Sequence, residues 1–258
     1  MRLIRNYIRL FAPKALILNA QSNESDPHAS MRLMGENLAW EVESFLVSKC
    51  PSLLDPNSGG RLSFIGHSAG AVVVRCALTA RALRPLLPKL WLYVSLGAPH
   101  LGTLYGASGL VRTGMWAMKR WNKSQILEEM ALTDAPLQRD TLICWLSHQP
   151  GLEHFAYTVL VSAAKDRYVP LHSARMQLSP DAARDADKGV LSGEAVREMS
   201  KSLLGRLDRQ RLFRVNLWVG KGEGAGVDEL IGRAAHISML DSPSLVAMLV
   251  SALYNLLL

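Results

Sequence analysis

Short apolar runs alternate along this chain with longer stretches of helical periodicity, and that alternation constrains the fold more than any other feature. Runs at 15–19, 61–65, 90–95, 157–162 and 212–219 are near-continuously aliphatic or β-branched. Strands without polar residues at every second position are buried on both faces, as in parallel sheets covered by helices. Helical patterns lie between them. They are clearest at 31–49, at 69–83, across a region from Leu110 to about Ser147, and after Asp241, where Asp241 or Ser242 can cap and Pro243 fits the first turn. Strands joined by crossover helices make an α/β fold with a mostly parallel sheet flanked by helices. With 258 residues and 49% hydrophobic content the chain can bury one large core, and a single domain over 1–258 is expected. Two stretches interrupt the alternation. A mostly helical insertion at about 104–150 is too long for a plain crossover, and 180–193, rich in Asp, Ala and Gly, reads as an exposed loop.

The strand at 61–65 runs directly into Gly66-His67-Ser68-Ala69-Gly70, and Ala71-Val72-Val73-Val74-Arg75 continues as a helix. Gly-x-Ser-x-Gly by itself is weak, since chance produces it in roughly one chain of this length in eight. The strand before and the helix after give it meaning. A turn this tight forces the serine into a strained backbone, and Gly66 and Gly70 are expected to let strand and helix approach. The serine hydroxyl is then exposed at the strand's C-terminal end, with the Ala69 N–H and the helix N-terminus aimed at a developing oxyanion.

A serine hydroxyl becomes a useful nucleophile only when a base takes its proton and a carboxylate orients that base. Asp166 follows the strand at 157–162 in Ser162-Ala163-Ala164-Lys165-Asp166, at the end of a parallel strand where such acids sit, and His236 follows the last strand. The predicted catalytic set is therefore Ser68, Asp166 and His236. His100 and His172 also lie near strand ends and are candidate pocket residues, while His67 is read as packing locally.

Several classes are disfavoured. The net charge of +7 raises the prior for an anionic partner, but the basic residues form no block and no aromatic-interleaved stripe, so no nucleic-acid partner is expected. Three widely spaced cysteines, Cys50, Cys76 and Cys144, argue against a disulfide framework and for a reducing, intracellular compartment. No ligand spacing calls for a metal or other cofactor. The first fourteen residues carry Arg2, Arg5, Arg9 and Lys14, with Leu3, Ile4, Tyr7, Ile8 and Phe11 on one helical face. They read either as a mitochondrial presequence or, the favoured reading, as an amphipathic helix packed on the sheet. No apolar run reaches eighteen residues, so no membrane span is expected.

At these residues the chain resembles the serine esterase family of lipase-like proteins, in particular the C-terminal domain of the large eukaryotic family-with-sequence-similarity proteins. The resemblance rests on four stretches: 62–68, 94–105 with Gly97-Ala98-Pro99-His100-Leu101-Gly102-Thr103, 165–175 with Lys165-Asp166-Arg167-Tyr168-Val169-Pro170, and 230–237 with Ala235-His236. It implies an α/β-hydrolase fold, a role in lipid metabolism, and Ser68, Asp166 and His236 as the triad. One departure is expected to matter: such domains begin with a core strand ending in a His-Gly loop that supplies the second oxyanion donor, and this sequence begins one element later. The insertion would then be a lid. Val111, Met115 and Met118 make one face, Arg112, Lys119 and Lys123 another, with Trp116 and Trp121 among them. This suits packing on the sheet or peripheral membrane contact. The expected reaction is cleavage of a carboxylic ester, with lipid as substrate. A weak or inactive hydrolase-fold interaction module and an acyltransferase are the alternatives.

Overall fold

The computed structural model describes residues 1–106, 124–218, 236–237 and 239–257. Among the described residues four parallel strands, β1 (Leu62–His67), β2 (Leu90–Leu96), β3 (Tyr157–Ala163) and β4 (Leu212–Leu217), form one sheet in the order β1-β2-β3-β4. Four of the predicted runs thus form the sheet of an α/β fold. The fifth does not: residues 15–19 make no strand, and Leu16 is 60% exposed. Its apolar run resembles a buried strand in composition, but no strand among the described residues pairs with it.

Side-chain alternation divides the sheet between two cores. Leu92, Val94 and Leu96 of β2 and Val159, Val161 and Ala163 of β3 face one side, where Ile4 and Ile8 of helix α1 (Arg2–Phe11) and Val246, Leu249 and Val250 of the helix Pro243–Ala252 join the cluster. The N-terminal segment is therefore an amphipathic helix seated on the sheet in this structure. Phe64, Tyr93 and Leu160 point to the other side, into a larger cluster built on helix α2 (Met31–Lys49) and helix α3 (Ala69–Thr79). Tyr93 is fully buried and donates its hydroxyl proton to Ala71 O at 2.7 Å. Helix α3 ends four residues before the predicted 83. Thr79 Oγ1 donates back to Cys76 O at 2.7 Å, and Pro85 and Pro88 shape the 3-10 segment Arg81–Lys89 that follows. The three cysteines are free, with Cys76 and Cys144 buried.

Residues 180–193, read from sequence as a loop, are helical over most of their length. Helix α4 (Gln125–Met130) and helix α5 (Leu142–Ser147) belong to the insertion, helix α6 (Leu171–Ala174) follows the β3 loop, and helices α7 (Pro180–Asp187) and α8 (Leu191–Arg206) follow in turn. Ser179 caps α7 by accepting Ala182 N–H at 3.1 Å, and Pro180 fits its first turn. Ala182 and Ala186, one turn apart, are buried where α7 meets α8. The polar composition described the exposed face of α7 and concealed this narrow apolar one. Residues 107–123, with the Trp and Lys residues of the predicted lid, lie outside the described residues. No helix among the described residues is long and apolar enough to cross a membrane.

One buried carboxyl ties the insertion to the core. Glu129 of α4 is 2% exposed, and its Oε2 accepts the Met31 N–H at the start of α2 at 2.8 Å. Burial pushes its pKa up to about 7. Between pH 4.5 and about 7 the folded protein then holds a proton that the unfolded chain releases, so stability falls as pH rises through this window. Glu129→Gln keeps the acceptor oxygen and removes the charge. It is expected to remove this share of the pH dependence and to raise stability at pH 8 by roughly 1–3 kcal/mol. Thermal unfolding at pH 5 and pH 8 checks this; an equal loss between the two pH values in both proteins would refute it.

Candidate active site

The C-terminal ends of β1, β2 and β3 converge on a small group of polar side chains. At the end of β1, Ser68 has φ 53° and ψ −133°, a backbone region that side chains other than glycine rarely adopt. Such strain costs on the order of 1–3 kcal/mol and persists only where its surroundings impose it. Here the Ser68 N–H donates to Leu96 O at 2.8 Å, and Ser68 O accepts Ala71 N–H at 3.1 Å. A Cβ at Gly66 would stand 2.4 Å from Ala71 Cα, so only glycine lets β1 and α3 approach this closely. Gly70 departs from the expectation: a Cβ there meets nothing within 4 Å. The close approach rests on Gly66 alone, because Gly70 already lies on the open face of α3. The Ala69 N–H, at the first position of α3, donates to no acceptor among the described residues.

Asp166 sits in the turn after β3, and its two oxygens have separate tasks. Oδ1 accepts the N–H groups of Tyr168 (2.8 Å) and Val169 (3.0 Å), while Oδ2 lies 2.6 Å from His236 Nδ1. The side chains of His236 and Asp166 are 12% and 2% exposed. An Nδ1–H donated to the carboxylate leaves Nε2 of a neutral His236 as a proton acceptor. Gly97, at φ 56° beyond β2, a backbone that favours glycine, adjoins this pair. A Cβ on Gly97 would lie 3.2 Å from Met239 Cε, 3.4 Å from Asp166 Oδ2 and 3.5 Å from His236 Nδ1.

Two aromatic rings flank His236. Tyr168 lies 5.6 Å away between ring centroids, and His67, the residue before Ser68, lies 4.7 Å away. His67 Nε2 is also 3.1 Å from His236 O, a contact in which the ring N–H donates. Burial, followed by the neighbouring His236, lowers the His67 pKa to about 4, so this ring is neutral at pH 7. Sequence reasoning gave His67 only local packing and passed over Gly97 and Tyr168. The available signals were a glycine directly after a parallel strand and an aromatic residue two positions beyond Asp166.

The structure thus joins Asp166 to His236 and sets His67, the neighbour of Ser68, against them. The Ser68 hydroxyl makes no hydrogen bond among the described residues. Of the two candidate pocket histidines, one lies in the loop after β2 and the other on the short helix after the Asp166 loop. His100 is fully buried in the loop after β2, with Nε2 2.7 Å from Ser95 Oγ and Nδ1 3.4 Å from Arg75 Nη1. Its burial makes it a packing residue of that loop rather than a group open to a substrate. His172, on α6, packs against the chain at Tyr105 and Gly106, and burial lowers its pKa. Among the described residues no cluster of His, Cys, Asp and Glu is arranged to hold a metal ion. A protein-family model described as "Putative serine esterase" matches residues 1–179, a span that includes Ser68 and Asp166 and ends before His236.

Proposed function

From the membership of this chain in the "Putative serine esterase" family, we propose that it is a serine hydrolase that cleaves carboxylic esters through Ser68, His236 and Asp166. The observation that supports this most is the conjunction of a strained Ser68 at a strand-to-helix turn with the 2.6 Å Asp166–His236 contact beside it. In the proposed reaction His236 Nε2 takes the Ser68 proton as Oγ bonds to the ester carbonyl carbon. The carbonyl electrons move onto oxygen, facing the Ala69 N–H and the N-terminus of α3. The tetrahedral species collapses, the alkoxide leaves with the proton from His236, and an acyl-serine remains. Water, deprotonated by His236, then cleaves that acyl bond and restores the serine. Asp166 stabilises the imidazolium at both steps. The reading requires Ser68 and His236 to approach when substrate binds, as catalytic hydrogen bonds of free enzymes often tighten only in the complex.

Lipid is the proposed substrate class. The insertion's sequence, with Trp116 and Trp121 beside Lys119 and Lys123, supports it. So does its attachment point: at Gly106, the last described residue before it, a Cβ would meet Pro170 Cβ at 2.7 Å, so the insertion leaves the fold beside the Asp166 loop. Peripheral contact with a bilayer through this segment belongs to the same proposal. The test is labelling with a fluorophosphonate, which captures only activated serines. Wild-type protein is expected to be labelled and Ser68→Ala, verified as folded, to be blank. An unlabelled wild-type protein, or a label that survives in Ser68→Ala, would sink the proposal.

A further inference from the structure

Asp166 grips His236 by one ring nitrogen, and a ring held at a single atom can still pivot about that contact. A second anchor comes from His67, the last residue of β1. Its Nε2–H donates to the backbone carbonyl oxygen of His236 at 3.1 Å, and the two imidazole rings meet at 4.7 Å between centroids with their planes tilted by 48°. His236 is thus held at its ring from the loop after β3 and at its backbone from β1. Two anchors set the direction in which Nε2 points, which one does not. The anchor on β1 is itself rigid. His67 pairs in register with Leu96 of β2, and the next residue, Ser68, donates its N–H to Leu96 O at 2.8 Å. His67 and Ser68 are consecutive, so the base is tied to the same stretch of backbone that carries the nucleophile.

We infer that His67 is a positioning residue for ester hydrolysis: by tying the His236 carbonyl to the end of β1, it keeps His236 Nε2 directed at the Ser68 hydroxyl. The inference rests on the serine-hydrolase reading of Ser68, His236 and Asp166. The chemistry of imidazole fits the task. The contact needs a proton on Nε2 of His67, which a neutral ring supplies in one of its two tautomers. A neutral neighbour also adds no second positive charge beside the imidazolium that forms at His236 during reaction. Burial, followed by His236 itself, lowers the His67 pKa to about 4, so the ring is neutral wherever His236 can act as a base.

Steady-state kinetics on a short activated ester compares wild type with His67→Phe, which fills similar space without a donor, and His67→Gln, whose amide N–H can reach the same carbonyl. His67→Phe is expected to lower kcat by about 10- to 100-fold with KM nearly unchanged, since misplacing a catalytic group by about 1 Å costs up to about 100-fold. His67→Gln is expected to recover most of that loss. A kcat for His67→Phe close to wild type, or an equal loss in both variants, would overturn the inference, the second because ring packing rather than the hydrogen bond would then be what matters. Fluorophosphonate labelling separates this result from the reading beneath it. Wild type labelled on Ser68, with His67→Phe labelled equally fast, overturns the positioning role alone; an unlabelled wild type removes both. If the variants fail to fold, imidazole nitrogen NMR of the wild-type protein decides. A His67 proton that stays on Nε2 from about pH 5 to 8 supports the anchor, whereas a proton on Nδ1, or titration near the ordinary value of 6.5, overturns it.

Discussion

Asp166→Asn is expected to lower kcat/KM for ester hydrolysis by about three to four orders of magnitude while leaving the fold intact. The reason lies in the division of labour between the two oxygens. An asparagine can still present one oxygen to the Tyr168 and Val169 N–H groups, so the turn keeps its shape. Its amide nitrogen then faces His236 Nδ1, where Asp166 Oδ2 stood at 2.6 Å. A donor there stabilises the tautomer with the proton on Nε2, which cannot accept the Ser68 proton. The imidazolium formed during reaction also loses its counter-charge. Steady-state kinetics on a short activated ester, with unfolding temperature measured in parallel, separates this from a structural role. A loss below tenfold would show that the Asp166–His236 contact serves only packing. A large loss accompanied by unfolding would call for the rate to be normalised to serine labelling.

What the sequence made legible, and what it hid, divides along a physical line. Ser68 and Asp166 could be named as candidates because they come just after β1 and β3, and the C-terminal ends of parallel strands lie together whatever the details of packing; His236 stands well beyond β4 and meets Asp166 through its ring. β2 and β3 were legible because their runs are apolar on both faces, and the structure gives each face a core of its own. Residues 15–19 have the same local composition, yet pairing depends on a neighbour that composition does not specify. The roles of His67, Gly97 and Tyr168 arise from contacts across about 70 to 170 positions of sequence, which a glycine after a strand or an aromatic near Asp166 marks without saying what it will touch. Helix α7 is a different case. Ser179-Pro180-Asp181 is a helix start, and the two alanines four apart mark its buried side, so the signal was present and was outweighed by the residues' polarity.

The motif's two glycines look equivalent in sequence, and the structure predicts opposite outcomes for them. Gly66→Ala would place its Cβ 2.4 Å from Ala71 Cα and 2.7 Å from Ala71 N, both backbone atoms that no rotamer change can move aside. Relief requires α3 to move off β1. That helix buries Ala71, Val72, Val73 and Val74, so moving it opens packing along its whole length. The expected cost is about 3 kcal/mol or more, a fall in Tm of roughly 6–12 °C for a chain of this size, with Ser68 displaced as well. At Gly70 a Cβ meets open space in the first turn of the same helix, and alanine is a better helix former by about 0.5–1 kcal/mol. Gly70→Ala is therefore expected to raise Tm by roughly 1–3 °C. Thermal unfolding of the two variants beside wild type is the measurement. Equal destabilisation at both positions would mean that β1 and α3 do not approach as closely as Gly66 and Ala71 require, and the strained geometry assigned to Ser68 would fall with that contact.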